Sequence, residues 1–215
     1  MFSFDDRLDM SCGPFKKHQP LRLNWSCQCS LFKALRSIPS TPGVLNVAIL
    51  LGHGCITKTK KDQNAVEKWH QLIASDEKHK CEKCTNRDIL LEDVVNMIEN
   101  TRANVLLCYL ACRSPWNESD REKLEELNVH KFVHSTPKIG ILYFTKQGSV
   151  AHCSAEMHPM RRMLLLVLSL ATQGGDCGTS ESIKRSISFI ASAEFSPRVK
   201  PSELFDIDLH DKWLA

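Results

Sequence analysis

The chain has no long hydrophobic run. Its longest apolar stretch, "MLLLVLSLA" at 163–171, covers nine residues, well short of the roughly 20 a helix needs to cross a bilayer. It predicts a core helix, and no membrane is expected among the partners. The first residues, "MFSFDDRLDM", lack the basic start, apolar stretch and small-residue cleavage site of a secretory signal, so a cytoplasmic location is expected. Charge of one sign is scarce too: the formal net charge is +3 over 215 residues. No basic stripe carries interleaved aromatics, which argues against a nucleic-acid partner. The run "TKTKK" around Lys60 reads as a solvated loop, and no internal repeat or low-complexity tract is present.

Cysteine, by contrast, is plentiful, with ten in the chain. Without a secretory signal these thiols belong in a reducing compartment, where they are more often buried, metal-binding or catalytic than paired. The hydrophobic share of 42% and the charged share of 25% are those of an ordinary globular protein, and the length suits one domain over 1–215.

Residues up to Pro20 have no clean period and read as an irregular lead-in. "SLFKALRSI" places Leu31, Ala34, Leu35 and Ile38 at helical spacing, and "PSTPG" ends that helix before residue 44. "VLNVAILL" at 44–51 is nearly unbroken apolar sequence, the pattern of a strand buried on both faces of a parallel sheet. Residues 56–87 form a lysine-rich excursion, expected to be partly helical around "NAVEKWHQLIA" and to lie on the surface. "RDILLEDVVNMIEN" sets Leu91, Val95 and Ile98 on one face and predicts an amphipathic helix over 88–100. "NVLLCYL" at 104–110 repeats the buried-strand pattern, so strand, helix and strand make a βαβ unit with two parallel strands.

Beyond it, Ser119 and Glu122 suit a capping box for a short helix ending near Leu127. "KIGILYFT" at 138–145 is a third strand. Pro159 opens a helix that Gly174 and Gly175 close. "SIKRSISFIASAEF" has Ile183, Ile187 and Ile190 at helical spacing, although its alternating serines also suit a strand. "ELFDIDLHDKWLA" is expected to be extended.

Two of these strands end on a reactive side chain. "ILLGHGC" runs out at His53 and "LLCYLACRS" at Cys112. In a parallel α/β sheet, chemistry collects at the carboxyl ends of strands, where loops converge on a rigid frame. A thiol acts as a nucleophile once ionised, and a nearby imidazole can stabilise the thiolate and carry a proton to the leaving group. Gly52 and Gly54 would let backbone approach a substrate closely, and the N–H groups of Gly54 and Cys112 could face a developing oxyanion. Cys55 and Cys108, beside the candidate site, read as core thiols or as an accident of composition.

An apolar strand ending in His-Gly followed by another ending in "ACRS" resembles the caspase-like cysteine peptidases. In caspases the histidine lies about 50 residues before the cysteine; here the positions are 53 and 112, and the lysine-rich excursion lengthens the gap. "ILYFTKQGSV" and "SIKRSISFIASAEF" are similar to parts of a caspase small subunit, so the resemblance runs from Val44 to the C-terminus. It implies a three-layer α/β/α sandwich with a mostly parallel central sheet. A large-subunit-like part would span 44–118 and a small-subunit-like part 129–215, after a lead-in and short helix over 1–43. It further implies an endopeptidase with Cys112 as nucleophile, His53 as acid/base and no cofactor or catalytic metal. Protein or peptide substrates, a homodimer or a heterodimer with another caspase, and a place in regulated proteolysis such as cell death follow from the same likeness.

The pattern also departs from the family. Leu110 occupies the position of a caspase glutamine, Cys153 aligns with a substrate-binding arginine, and Ser114 stands where caspases usually have glycine. The family's first strand, with its own arginine, has no convincing match before Val44; Arg22, in "PLRLNW", is a weak candidate. The residue preference before the scissile bond therefore stays open, as does a second reading, a catalytically silent homologue that binds an active caspase. Asp120, in the polar segment "WNESDREK", is a candidate processing site, with helix capping as its competing role. Cys81 and Cys84 with His79 have zinc-like spacing, but no second pair follows at similar spacing; Cys27 and Cys29 could complete a site only if the fold brought the segments together.

Overall fold

The computed structural model describes residues 27–42, 44–59, 68–74, 88–115, 117, 119–120, 135–145, 147–148, 185–186, 206–208, 210 and 213. Along the chain these form α1 (Gln28–Arg36), β1 (Leu45–Leu51), β2 (His53–Thr59), β3 (Lys68–Ala74), β4 (Asp88–Leu90), α2 (Leu91–Thr101), β5 (Asn104–Leu110), β6 (Ile139–Tyr143) and β7 (Asp206–Asp208). Two sheets result. The larger has the order β1-β5-β6-β7 and the smaller β2-β3-β4.

The larger sheet is mostly parallel: β1 pairs with β5 and β5 with β6 in parallel, while β7 runs antiparallel to β6. The βαβ unit expected from the sequence is present, since β1 and β5 are direct neighbours with Leu45 opposite Asn104 and Leu51 opposite Leu110. Val105, Leu107 and Tyr109 of β5 face one way and meet Ile139, Ile141 and Tyr143 of β6, Leu31 and Leu35 of α1, and Leu91, Val94, Val95 and Ile98 of α2. The alternate residues Leu106, Cys108 and Leu142 are buried as well, so the middle of the sheet is covered on both faces, as an apolar parallel strand requires.

β1 departs from expectation, because only Leu50 is buried and Val47 and Ile49 are 39% and 43% exposed. The strand stands at the end of the described sheet, where one face loses its cover. The helix predicted over 88–100 starts later, at Leu91, since Asp88–Leu90 pairs with β3 as a strand. Glu92 and Asp93 then fill its first turn, where carboxylates favour the positive end of the helix dipole. Arg102 ends it with φ 60°, a left-handed position that glycine usually takes.

The largest correction falls on the excursion. Within 56–87, the part expected to be helical around "NAVEKWHQLIA" contains a strand: β3 pairs antiparallel with β2, His53 opposite Ala74 and Thr59 opposite Lys68. Nor is it a surface feature throughout, because Trp69, His70, Gln71 and Ile73 are buried. β2 was not expected as a strand at all. Of the later helices, Ser119 and Asp120 are helical and Arg185 and Ser186 are helical; the remainder of those segments, the apolar run at 163–171 and the lead-in lie outside the described residues. Among the described residues, no helix is long and apolar enough to cross a membrane.

Candidate active site

One residue separates β1 of the larger sheet from β2 of the smaller. β1 ends at Leu51, Gly52 follows, and His53 opens β2. A Cβ on Gly52 would lie 2.6 Å from the Ala74 carbonyl oxygen, so the bare backbone allows β3 to close over the link. His53 is exposed at the start of the smaller sheet. Cys112 lies two residues past the end of β5 and is half-buried.

From that point the chain runs beside β2. The Ile56 N–H donates to the Ser114 carbonyl at 2.9 Å, and Ile56 and Pro115 form a parallel bridge. Two residues earlier, a Cβ on Gly54 would stand 2.5 Å from the Cys112 carbonyl oxygen, 2.6 Å from the Tyr109 hydroxyl and 2.8 Å from the Ala111 methyl. Contacts under 3 Å leave no room for a side chain, so only glycine lets β2 meet the Cys112 turn. This corrects the reason given for Gly54: the volume freed by its missing side chain is filled by protein. His53, its chain neighbour, lies at the Cys112 end of the same seam. Because backbone groups alternate sides along a strand, the Gly54 N–H leaves β2 on the same edge as that of Ile56, toward the Cys112 segment.

Beneath this seam lies a polar cluster. Gln71, on β3, is almost wholly buried at 1% exposure. Its Nε2 donates toward the Tyr109 hydroxyl at 3.0 Å, the Cys55 carbonyl at 3.1 Å and the Cys112 carbonyl at 3.3 Å. The Tyr109 hydroxyl in turn donates to the Leu72 carbonyl at 2.9 Å. Burial pushes the Tyr109 phenol well above its ordinary range, against the smaller opposing effects of the Gln71 hydrogen bond and the Arg113 charge. It therefore stays a neutral donor. Tyr109 also meets Tyr143 edge to face at 5.8 Å.

Cys55 is half-buried rather than a core thiol. Burial raises its pKa, and the negative charges of Asp88 and of an ionised Cys112 push it further the same way. Cys108 does sit in the core, and burial lifts its thiol to about 12.

The residues after Cys112 are tied to the end of β6. The Arg113 guanidinium, 2% exposed, lies 3.9 Å from the centre of the Tyr143 ring and donates to the Thr145 carbonyl at 3.1 Å. The Gly148 N–H donates to the Arg113 carbonyl at 2.8 Å. Leu110 is the half-buried last residue of β5. Further on, Asp120 is held by Lys58 of β2 at 2.9 Å, and the Lys58 ammonium sits 4.3 Å from the centre of the Trp69 ring. His70 and Glu92 meet at 2.9 Å and fasten β3 to α2.

Arg22, His79, Cys81, Cys84 and Cys153 lie outside the described residues. Cys27 is buried at the start of α1, where the Ser30 hydroxyl accepts from its N–H and donates to its carbonyl, and Cys29 is exposed. Among the described residues, no group of three or more His, Cys, Asp or Glu side chains is placed to hold a metal.

Sequence reasoning missed Gln71, Tyr109, Lys58 and Trp69. The one available signal was a period of two in "KWHQLIA": Trp69, Gln71 and Ile73 share a buried face, and the glutamine in the middle disguises it. Neither a known protein-family model nor a curated protein matches this chain.

Proposed function

We propose that the chain is a caspase-like cysteine endopeptidase of the three-layer α/β/α type, with Cys112 as nucleophile and His53 as acid/base. The observation that carries this reading is the contact between Gly54 and the Cys112 carbonyl. It brings together the carboxyl ends of two adjacent parallel strands, the place where α/β sheets build sites.

In the proposed reaction the Cys112 thiolate attacks the peptide carbonyl. The oxyanion that forms is met by the N–H groups of Gly54 and Cys112. Protonated His53 gives its proton to the leaving amine as the C–N bond breaks and a thioester remains. His53 then takes a proton from water, whose oxygen attacks the thioester and releases Cys112. No metal or cofactor enters these steps. Protein or peptide substrates, a cytoplasmic location, a homodimer or a caspase heterodimer, and a role in regulated proteolysis belong to the same proposal. So does processing after Asp120, which would first require that carboxylate to leave Lys58.

A second reading, a catalytically silent homologue that binds an active caspase, draws on Leu110 at the glutamine position. Cleavage of a diverse peptide library separates the two. The peptidase reading expects activity that Cys112→Ala lowers at least about a thousandfold, and the cleaved peptides would reveal the preferred residue. Silence from folded protein, both intact and cut after residue 120, would overturn it in favour of the binding homologue.

A further inference from the structure

We propose that Gln71 is the positioning residue of the candidate site, its one buried amide holding the Cys112 turn in register against the strand that begins at His53. The inference rests on the Cys112/His53 reading above. Three carbonyl oxygens, those of Cys55, Leu72 and Cys112, converge on the Gln71 amide nitrogen together with the Tyr109 hydroxyl. Four acceptors face one –NH2 group, and the Tyr109 hydroxyl, itself a donor, is turned to Leu72. Remove the amide and the Cys55 and Cys112 carbonyls lose the side-chain donor that they share.

The glutamine is also held at a cost. Its Oε1 is buried and has no hydrogen-bond partner among the described residues. Burying an unmatched amide oxygen disfavours the fold, and methionine would fill nearly the same space with no polar atom to satisfy. A residue chosen for packing alone would not be glutamine. The donor end is therefore the useful one, and it reaches the backbone of β2, which begins at His53, and of Cys112 itself. Gly54 completes the arrangement, because any side chain there would strike both the Cys112 carbonyl and the Tyr109 hydroxyl.

The pH dependence of Cys112 alkylation by iodoacetamide, read at Cys112 by peptide mass mapping, tests this without a peptide substrate. Cys112 interacts electrostatically with Cys55 of β2, which also feels Asp88 of β4; Tyr109 of β5 feels Cys55, Arg113 and Tyr143, and His53 opens β2. His53→Ala is expected to move the profile to higher pH, and Gln71→Met to move it in the same direction by a comparable amount. Peptide cleavage by Gln71→Met should fall about tenfold to a hundredfold in kcat with KM little changed.

Gln71→Glu supplies a control within one molecule. In acid its neutral carboxyl can still donate one hydrogen bond; once ionised it faces only oxygens, so Cys112 should resemble wild type at low pH and depart from it as pH rises. Folded Gln71→Met with the wild-type profile, or Gln71→Glu matching wild type at every pH, overturns the assignment while the dyad stands. If His53→Ala leaves the profile unmoved, the dyad itself fails and the inference falls with it. A His53-dependent profile in a protein that cuts no peptide removes the peptidase reading alone.

Discussion

The larger sheet and the smaller one solve the same problem with opposite chemistry. In the larger, β5 and β6 bury ten side chains and backbone units almost entirely through apolar contact, with Val105, Leu107, Ile139 and Ile141 all at or below 1% exposure. In the smaller, Ile56, Ile73 and Ile89 are buried as well, but β3 also buries Gln71 and His70, and hydrogen bonds to backbone carbonyls are added to the apolar contact, together with an ammonium over an indole. Apolar packing is tolerant of direction and sets the frame. Hydrogen bonds are directional, and they lie where the chain must hold two backbone segments at a fixed spacing.

Substitutions in each sheet should therefore fail differently. Leu107→Ala, in the apolar frame, is expected to cost about 2–5 kcal/mol of stability and to leave the pH profile of Cys112 alkylation in place, as denaturant melts and thiol mapping would show. Gly54→Ala, at the seam, is expected to cost less, about 1–3 kcal/mol from overpacking. It should nevertheless slow Cys112 alkylation about tenfold, since the added methyl must displace the Cys112 carbonyl. If Leu107→Ala altered Cys112 more than Gly54→Ala did, the division of labour between the sheets would be wrong.

The two thiols beside the site sharpen the contrast. Burial in the apolar sheet pushes the Cys108 thiol up to about 12 from its ordinary 9.0. A raised pKa in the fold means that its contribution to stability is complete below about pH 9. That contribution then declines as pH rises toward 12, because only the unfolded chain can ionise the thiol. Cys108→Ala should therefore lose about 1 kcal/mol less than wild type between pH 8 and pH 10. Iodoacetamide at pH 8 should label the half-buried Cys55 and spare Cys108. The smallest effect is expected at Lys58→Met: less than about 1 kcal/mol, fading further in high salt, as for a partly exposed ion pair.

Legibility followed the same division. The strands containing 104–110 and 139–143 were readable because parallel strands buried near the middle of a sheet give continuous apolar runs; 45–51 has the same kind of run and is a strand, but it stands at the end of the described sheet and is mostly not buried. α2 was readable from the spacing of Leu91, Val95 and Ile98. Asp88–Leu90 was taken for helix because three residues carry too little pattern to separate a short strand from a helix start. β3 was misread because Trp69 and Ile73 stand four apart, a helical interval, while the polar Gln71 between them hid the period of two.

At the site, His53, Gly54 and Cys112 could be named from the ends of apolar runs. Gln71 could not, since its partners are mainly main-chain oxygens and leave no trace in side-chain composition. The geometry also changed the explanation of Gly54, from access for a substrate to contact within the protein.

The smaller sheet has no slack at either end. It leaves β1 through Gly52 alone and passes from Leu90 directly into α2 at Leu91. A change in chain length that leaves its three strands intact must therefore fall within residues 60–67 or 75–87, which join β2 to β3 and β3 to β4. Added or deleted residues there can alter whatever those connections meet without shifting His53 relative to Cys112. Proteins built on this frame could vary in length at those two positions while their chemistry stayed in one place.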